Sequence, residues 1–349
     1  MSTLASRFDT NPILRPSEVK PSRPDMKIEC LLNPGAFRYQ NRIGLLLRVA
    51  ERPVQEDGWV SVPIVDPTSE GGLRIFRCRA DDPKLDFSDA RVFTYDGKQY
   101  LTTLSHLRLA WSTDGRHFVA DDKPTLTGQN ALQSFGLEDS RVAFIDGRYY
   151  LTYTEVSEAG VGVGMTSTAD WMQFHHHGMI IPPHNKDCAL FEERIDGHYY
   201  ALHRPSGVGL GGNFIWTARS PDLLHWGDHR CIARTRRNAW DSGRVGAGAS
   251  PIKTSAGWLA IYHGADDKPR YSLGLLLLDL KDPTKVIARS TKPIMEPEAA
   301  YELTGFFGNV VFTNGHVIDG DTVTVYYGAS DEVICGATLS IQTLLATLA

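Results

Sequence analysis

Residues 134–156, SFGLEDSRVAFIDGRYYLTYTEV, set two acids and a base, Glu138, Asp139 and Arg141, at the mouth of an apolar, tyrosine-rich run. The run is cut by Asp146-Gly147, a pair that suits a two-residue hairpin because both residues tolerate left-handed backbone. The stretch therefore reads as a polar head, a strand, a tight turn and a second strand. The same phrase returns as DARVFTYDGKQYLTTL from Asp89, DCALFEERIDGHYYALHR from Asp187 and GASPIKTSAGWLAIYHG from Gly248. NPGAFRYQNRIGLLLRV from Asn33 and NVVFTNGHVIDGDTVTVYYG from Asn309 have the same shape. A shorter echo follows three of the copies: STDGRHF at Ser112, STADWMQF at Ser167 and SPDLLHW at Ser220. A period of roughly fifty residues with about four strands per unit is the signature of a β-propeller. A β-sandwich is the alternative, but sandwich strands rarely repeat a phrase of this length. The expectation is an all-β chain in which residues 1–349 form a single five-bladed propeller with little helix.

Composition narrows the function. The chain has 349 residues, 42% of them apolar and 22% charged, with a net charge of −5. That supports a sizeable core and gives no field to gather nucleic acid or an anionic membrane. Cys30, Cys78, Cys188, Cys231 and Cys335 are scattered, odd in number and form no CxxC pair, so they read as reduced thiols rather than disulfides or a zinc site. With neither an apolar leader nor an 18-residue apolar run, the expected location is the cytoplasm. No GxxxxGK[ST] loop, GxGxxG turn or GxSxG elbow occurs, so a nucleotide cofactor and a serine nucleophile lack support. The histidines at 175–177 alternate faces of a strand and read as surface; no metal is expected.

In a propeller the leading strand of each blade lines a central channel, so the polar heads Asn33, Asp89, Asp139, Asp187 and Asn309 converge on one funnel. Such a ring is costly unless paired or useful, and a convergent polar pocket is the default site. Basic residues stand at matching offsets: Arg48, Arg141, Lys186, Arg204 and Arg244. Arg141 reads as structural, a clamp on Asp139 or the adjoining blade. Lys186, Arg204 and Arg244 belong to successive copies and would cluster, and gathered cations repel unless an anion lies between them. A bound phosphate or carboxylate fits, although an Asp-rich wall balances them equally well.

NPGAF with LLLRVAERP, LEDSRV, NKDCALF, LHRPSG, RVGAGASPI with GWLAIYHG, and EPEAAYELTGFFGNVVFTNG with VYYGASD together resemble glycoside hydrolase family 130. The likeness runs in order from Asn11 to about Gly336. It implies a five-bladed propeller acting on β-mannosides, with most members inverting phosphorylases. The family's catalytic acid falls on Asp139 and its mannose-binding pair on Asn33 and Arg48. Its phosphate ligands fall on Lys186, Arg204 and Arg244, with His263 of YHG beside them. Asp89, Asp187 and Asp331 are further candidates for holding the sugar. Lys186 stands where some relatives carry Arg and Arg244 where some carry Lys, which keeps charge but not bidentate geometry. Six phrases against five blades assign the Asp89 copy to an enlarged first blade.

Inverting hydrolysis needs an acid and a base, whereas phosphate is already an anionic nucleophile and needs only cations and one acid. The family's route passes the acid's proton through a mannose hydroxyl. Asp139 would then be protonated near neutral pH, which Glu138 favours and Arg141 opposes. The implied reaction is phosphorolysis of a β-mannoside, β-1,2-mannobiose or an oligomannoside favoured, to α-mannose 1-phosphate. Inorganic phosphate is the co-substrate and no cofactor is expected. A hydrolase using Glu155, Glu192 or Glu193 as base and a non-catalytic sugar-binding propeller are the rivals. The expected partners are small molecules, with neither nucleic acid nor membrane, and terminal segments could join copies into a homo-oligomer.

Overall fold

Five antiparallel sheets carry the chain in the computed structural model, which describes residues 4–69, 72–87, 91–207 and 211–348. The first sheet contains Met26–Tyr39, Arg42–Pro53, Leu104–Ser112 and Val119–Ala120. The second runs through Leu137–Ile145, Arg148–Ser157, Gly160–Thr168 and Phe174–Ile181, and the third through Asn185–Leu190, Tyr199–Pro205, Ile215–Ser220 and Gly227–Ala233. The fourth holds Arg244–Ala247, Gly257–Ala265, Tyr271–Leu278 and Val286–Arg289, with Ile252–Thr254 paired beside it. The fifth combines Val311–Asp319, Thr322–Ala329 and Val333–Ser340 with the N-terminal Ser6–Arg7, so the two ends of the chain meet in one sheet. The N-terminal strand thus pairs inside its own chain. The only α-helices among the described residues are Ala300–Leu303 and Ile341–Ala346, and none there is long and apolar enough to cross a membrane.

The turn chemistry explains the hairpins. Asp146-Gly147 and Asp196-Gly197 both have positive φ at the two central positions (49° and 79°, 47° and 77°), as a type I′ turn demands. The shorter echo is also one repeated device. Ser112, Thr168 and Ser220 accept the backbone N–H of Asp114, Asp170 and Asp222, whose carboxylates in turn accept two N–H groups each from the next turn. This side-chain capping satisfies backbone that no ladder reaches.

Each sheet buries both faces against its neighbours. Met26–Tyr39 packs on Leu137–Ile145 and on Val311–Asp319, Leu137–Ile145 on Asn185–Leu190, and Asn185–Leu190 on Arg244–Ala247. Tyr271–Leu278 then meets Val311–Asp319, which returns to the starting sheet. Five apolar clusters fill these five junctions. Leu45, Leu47 and Tyr326 lie between fifth and first sheets, and Leu46, Leu107 and Leu151 between first and second. Met165 with Leu190, Leu202 with Leu276, and Leu275 with Val325 mark the other three. Truncating a fully buried member such as Leu46 to Ala should cost about 2–5 kcal/mol.

The Asp89 phrase does not lead any of the five sheets. Its strands, Val92–Tyr95 and Lys98–Leu101, join Leu85–Asp86 in a small separate sheet, and Trp59–Val65 pairs with Leu73–Arg79 in another. Both are inserted between the second and third strands of the first sheet, where an enlarged first blade was expected. Asp89 itself lies outside the described residues.

Candidate active site

Backbone irregularity builds this site. The ladder of three leading strands slips by a residue, between Leu32 and Gly35, Glu138 and Arg141, and Lys186 and Ala189. At each slip stands a residue of positive φ: Asn33 at 24°, Asp139 at 47° and Asp187 at 55°. A bulge re-aims the side chain it carries, and Asn and Asp tolerate that backbone better than other side chains do. The recurrent polar head is therefore a bulge inside the strand, not the strand's beginning. Asn309 does not follow suit; it is exposed and outside the cavity.

A cavity of about 280 Å³ opens at these bulges. Arg48, Arg91, Lys186, Arg204 and Arg244 line it together with Glu138, Asp139, Asp187 and Asp331. Asp139 accepts from Arg48 Nη1 at 3.0 Å and from Asn33 Nδ2 at 3.2 Å. Arg48 also donates to Glu138 Oε1 at 2.7 Å and to Ser105 Oγ at 3.0 Å. Lys186 Nζ lies 4.0 Å from Glu138 Oε2. Glu138, read from sequence only as a charged neighbour, is thus part of the wall and bridges the sugar and phosphate candidates.

Arg141 is buried and does not line the cavity. It donates to the backbone oxygens of Gly248, Ala247 and Asp139 at 3.1, 2.8 and 2.9 Å, and to Asp187 Oδ1 at 3.1 Å. Asp187 Oδ2 receives Arg204 Nε at 2.5 Å, and Arg204 Nη1 reaches Asn213 Oδ1 at 2.8 Å. Asp187 thus orients Arg204 while still lining the cavity. His263 does not line the cavity; it is wholly buried behind Asp187, 3.3 Å from Oδ2, and stacks on Phe312 at 4.0 Å. Burial pushes its pKa down to about 4 against the pull of Asp187, so the ring is neutral and adds no charge for an anion.

Burial alone would raise the Asp139 carboxyl, but Arg48, Lys186 and Arg141 outweigh it and hold it below the usual range. The cations therefore prevail over burial at Asp139. Asp331, also held at positive φ (49°), goes the other way: burial pushes it up to about 6, with Asp139 and Glu138 adding and Arg48 and Arg91 opposing. No group of three metal-ligating side chains occurs among the described residues. Glu155 is tied to Gln133 Nε2 at 2.7 Å, Glu192 accepts from the Phe144 N–H at 2.8 Å, and Glu193 pairs with Lys253. None of these three lines the cavity.

The family's sequence profile, described as β-1,4-mannooligosaccharide phosphorylase, matches residues 83–349. The chain belongs to glycoside hydrolase family 130. Within the family it is 44% identical over 343 residues to a β-1,2-mannobiose phosphorylase of Listeria innocua, covering 97% of each chain. It is 41% identical over 247 residues to a 1,2-β-oligomannan phosphorylase of Thermoanaerobacter sp. (strain X514), covering 70% of this chain and 81% of the relative. A solved structure of the Listeria innocua phosphorylase with β-1,2-mannobiose superposes with a TM-score of 0.94 at 43% identity and covers 99% of each chain.

Sequence reasoning missed Arg91, Tyr271, Phe306 and Phe312 as lining residues. Arg91 carried a signal, since DARV repeats the DSRV that begins at Asp139, but the sheet that follows it stands outside the five. The aromatics carried none, because Tyr271 and Phe312 on strands suit packing between sheets equally well and Phe306 lies in a loop.

Proposed function

We propose that the chain is an inverting phosphorylase that transfers mannose from a β-1,2-mannoside, mannobiose or a short oligomannoside, to inorganic phosphate, releasing α-mannose 1-phosphate. Phosphorolysis is glycosyl transfer to phosphate, so the enzyme is a glycosyltransferase in reaction type. The observation that carries the reading is the convergence of Lys186, Arg204 and Arg244 on the cavity that holds Asp139. The five sheets and their junctions are read as a five-bladed β-propeller, one catalytic domain without a cofactor. Production of a charged sugar phosphate suits the cytoplasm.

In this reading Asn33 and Arg48 hold the mannose and the basic trio holds phosphate below its anomeric carbon. Phosphate attacks that carbon from the face opposite the leaving oxygen, the C1–O bond breaks, and the configuration inverts. Asp139 supplies the proton that the leaving oxygen takes up, by way of a mannose hydroxyl. Arg48 opposes protonation of Asp139; a sugar hydroxyl inserted between them would relax that opposition. Phosphate within reach of Lys186 weakens the second cation's hold in the same direction. Asp331, with its raised pKa, faces the same cavity as a sugar ligand.

The assay supplies β-1,2- and β-1,4-mannobiose, each with and without phosphate. Mannose 1-phosphate from the 1,2-linked substrate, only with phosphate, is the expected result. Free mannose released at the same rate without phosphate would overturn the reaction, and better use of the 1,4 linkage would overturn the substrate.

A further inference from the structure

A separate hollow of about 460 Å³ lies where the first sheet meets the inserted strands. Glu51, Leu104 and His106 line it from the sheet, Val65 and Leu73 from the insertion, and Thr127 from the rim. That size falls within the range of small-molecule sites, about 300–1,000 Å³. Among the described residues none lines both this pocket and the catalytic cavity. Ser105, on the pocket's wall, accepts Arg48 Nε at 3.0 Å, so the two hollows stand back to back across one strand.

The pocket is built over a cluster of buried charged and titratable groups that phosphorolysis does not use: Glu51, His106 and Arg108. Arg108 Nε donates to His106 Nε2 at 3.2 Å, and because a guanidinium N–H only donates, the imidazole proton must sit on Nδ1. The ring is neutral, since burial, with Arg108 adding to it, pushes its pKa down to about 3. Its Nδ1–H has no partner among the described residues, although His106 is only 5% exposed. Glu51, 1% exposed, is held just as firmly. It accepts the Ser22 N–H at 2.7 Å and the Ser22 hydroxyl, while Arg108 Nη2 balances its charge from 3.7 Å. A carboxylate has room for about four hydrogen bonds, so it can still accept from a ligand.

We propose that this pocket is a second ligand site, distinct from the catalytic cavity, for one free neutral monosaccharide. One sugar hydroxyl donates to Glu51, another accepts from His106 Nδ1, and the apolar face of the ring lies on Val65, Leu73 and Leu104. Charge selects the class of ligand. Glu51 repels an anion at the wall, and Arg108 behind it with Arg23 at the rim offsets the attraction for a cation. A purely apolar molecule would strip water from the carboxylate and the imidazole N–H without replacing its hydrogen bonds. A sugar satisfies both, and because the two groups are fixed beforehand it loses little in ordering them.

The test is calorimetric titration of mannose into the wild type and into Thr127→Trp, which fills the pocket from an exposed lining position. The wild type should bind one mannose more than the variant, or bind it at least about tenfold more tightly, while phosphorolysis of β-1,2-mannobiose stays within about twofold. This difference decides the pocket whether or not a β-mannoside is phosphorolysed, so the function reading stands or falls separately. A wild-type crystal soaked in mannose supplies the answer should the variant misfold. A sugar ring in the pocket must then place oxygens within hydrogen-bond distance of both His106 Nδ1 and the Glu51 carboxylate. Equal mannose binding by the two folded proteins, a soaked crystal with no sugar in the pocket, or inorganic phosphate bound there in its place overturns the proposal.

Discussion

Replacing Asp331 with Asn should stabilise the fold at neutral pH and leave it unchanged in acid. Asparagine keeps the shape of the side chain and accepts the positive φ of 49° at this position. The Asp331 carboxyl is raised from its ordinary 3.8 to about 6, chiefly by burial, with Asp139 and Glu138 adding to it. A group whose folded pKa exceeds its unfolded one binds its proton more tightly in the native state. Stability is therefore full below pH ~4 and declines as pH rises towards 6, after which the deficit stays constant. A shift of about two units corresponds to at most about 3 kcal/mol. Partial solvent contact at the cavity mouth should reduce that to about 1–2 kcal/mol. An unfolding entropy of about 0.7 kcal/mol per kelvin for a chain of this length converts it to a Tm rise of about 1–3 °C. Differential scanning calorimetry of the wild type and of Asp331→Asn at pH 4 and pH 8 measures it. A Tm difference that is absent at pH 8, or of equal size at both values, would show that the carboxylate is not held against its preference.

Asp139→Asn, also compatible with its backbone, should lower phosphorolysis by at least about 100-fold, the scale of a positioned acid, in a coupled assay for mannose 1-phosphate; a loss under fivefold would remove Asp139 from that role. The same change takes the counter-charge from Arg48, so a Tm drop matching about 1–3 kcal/mol should accompany it. Arg204→Ala should raise the phosphate KM by about 10- to 150-fold while mannose binding, measured by calorimetry, is nearly preserved. An unchanged phosphate KM would give Arg204 a purely structural part beside Asp187. Arg141→Met removes four hydrogen bonds and leaves Asp187 short of a partner in the interior, so about 3–5 kcal/mol of stability should go. Denaturant unfolding checks this, and a shift below about 1 kcal/mol would mean that the buried Arg141 network is dispensable.

Much of the protein was legible in one dimension because its elements are local. Asp-Gly turns, two-residue alternation and the Ser/Thr-x-Asp echo are decided within a few residues, and they repeat, so hairpins at Asp146 and Asp196 could be read without a partner strand. Membership of family 130 was legible for the same reason, as motifs in order along the chain. Site chemistry that depends on residue type alone also survived folding: Asn33, Arg48, Asp139, Lys186, Arg204 and Arg244 all reach the cavity. Tertiary structure decided what depends on facing groups from distant positions. His263 looked like a phosphate ligand beside its motif, yet a neighbouring sheet covers it and leaves it neutral behind Asp187. Asp187, read as a sugar ligand, does line the cavity, but that Arg141 and Arg204, brought from other strands, each bond one of its oxygens could not be read from the sequence. The opposite tendencies of Asp139 and Asp331 are likewise invisible in sequence, because a carboxyl's proton affinity follows the charges and water around it, and those are set by the sheets that close over it.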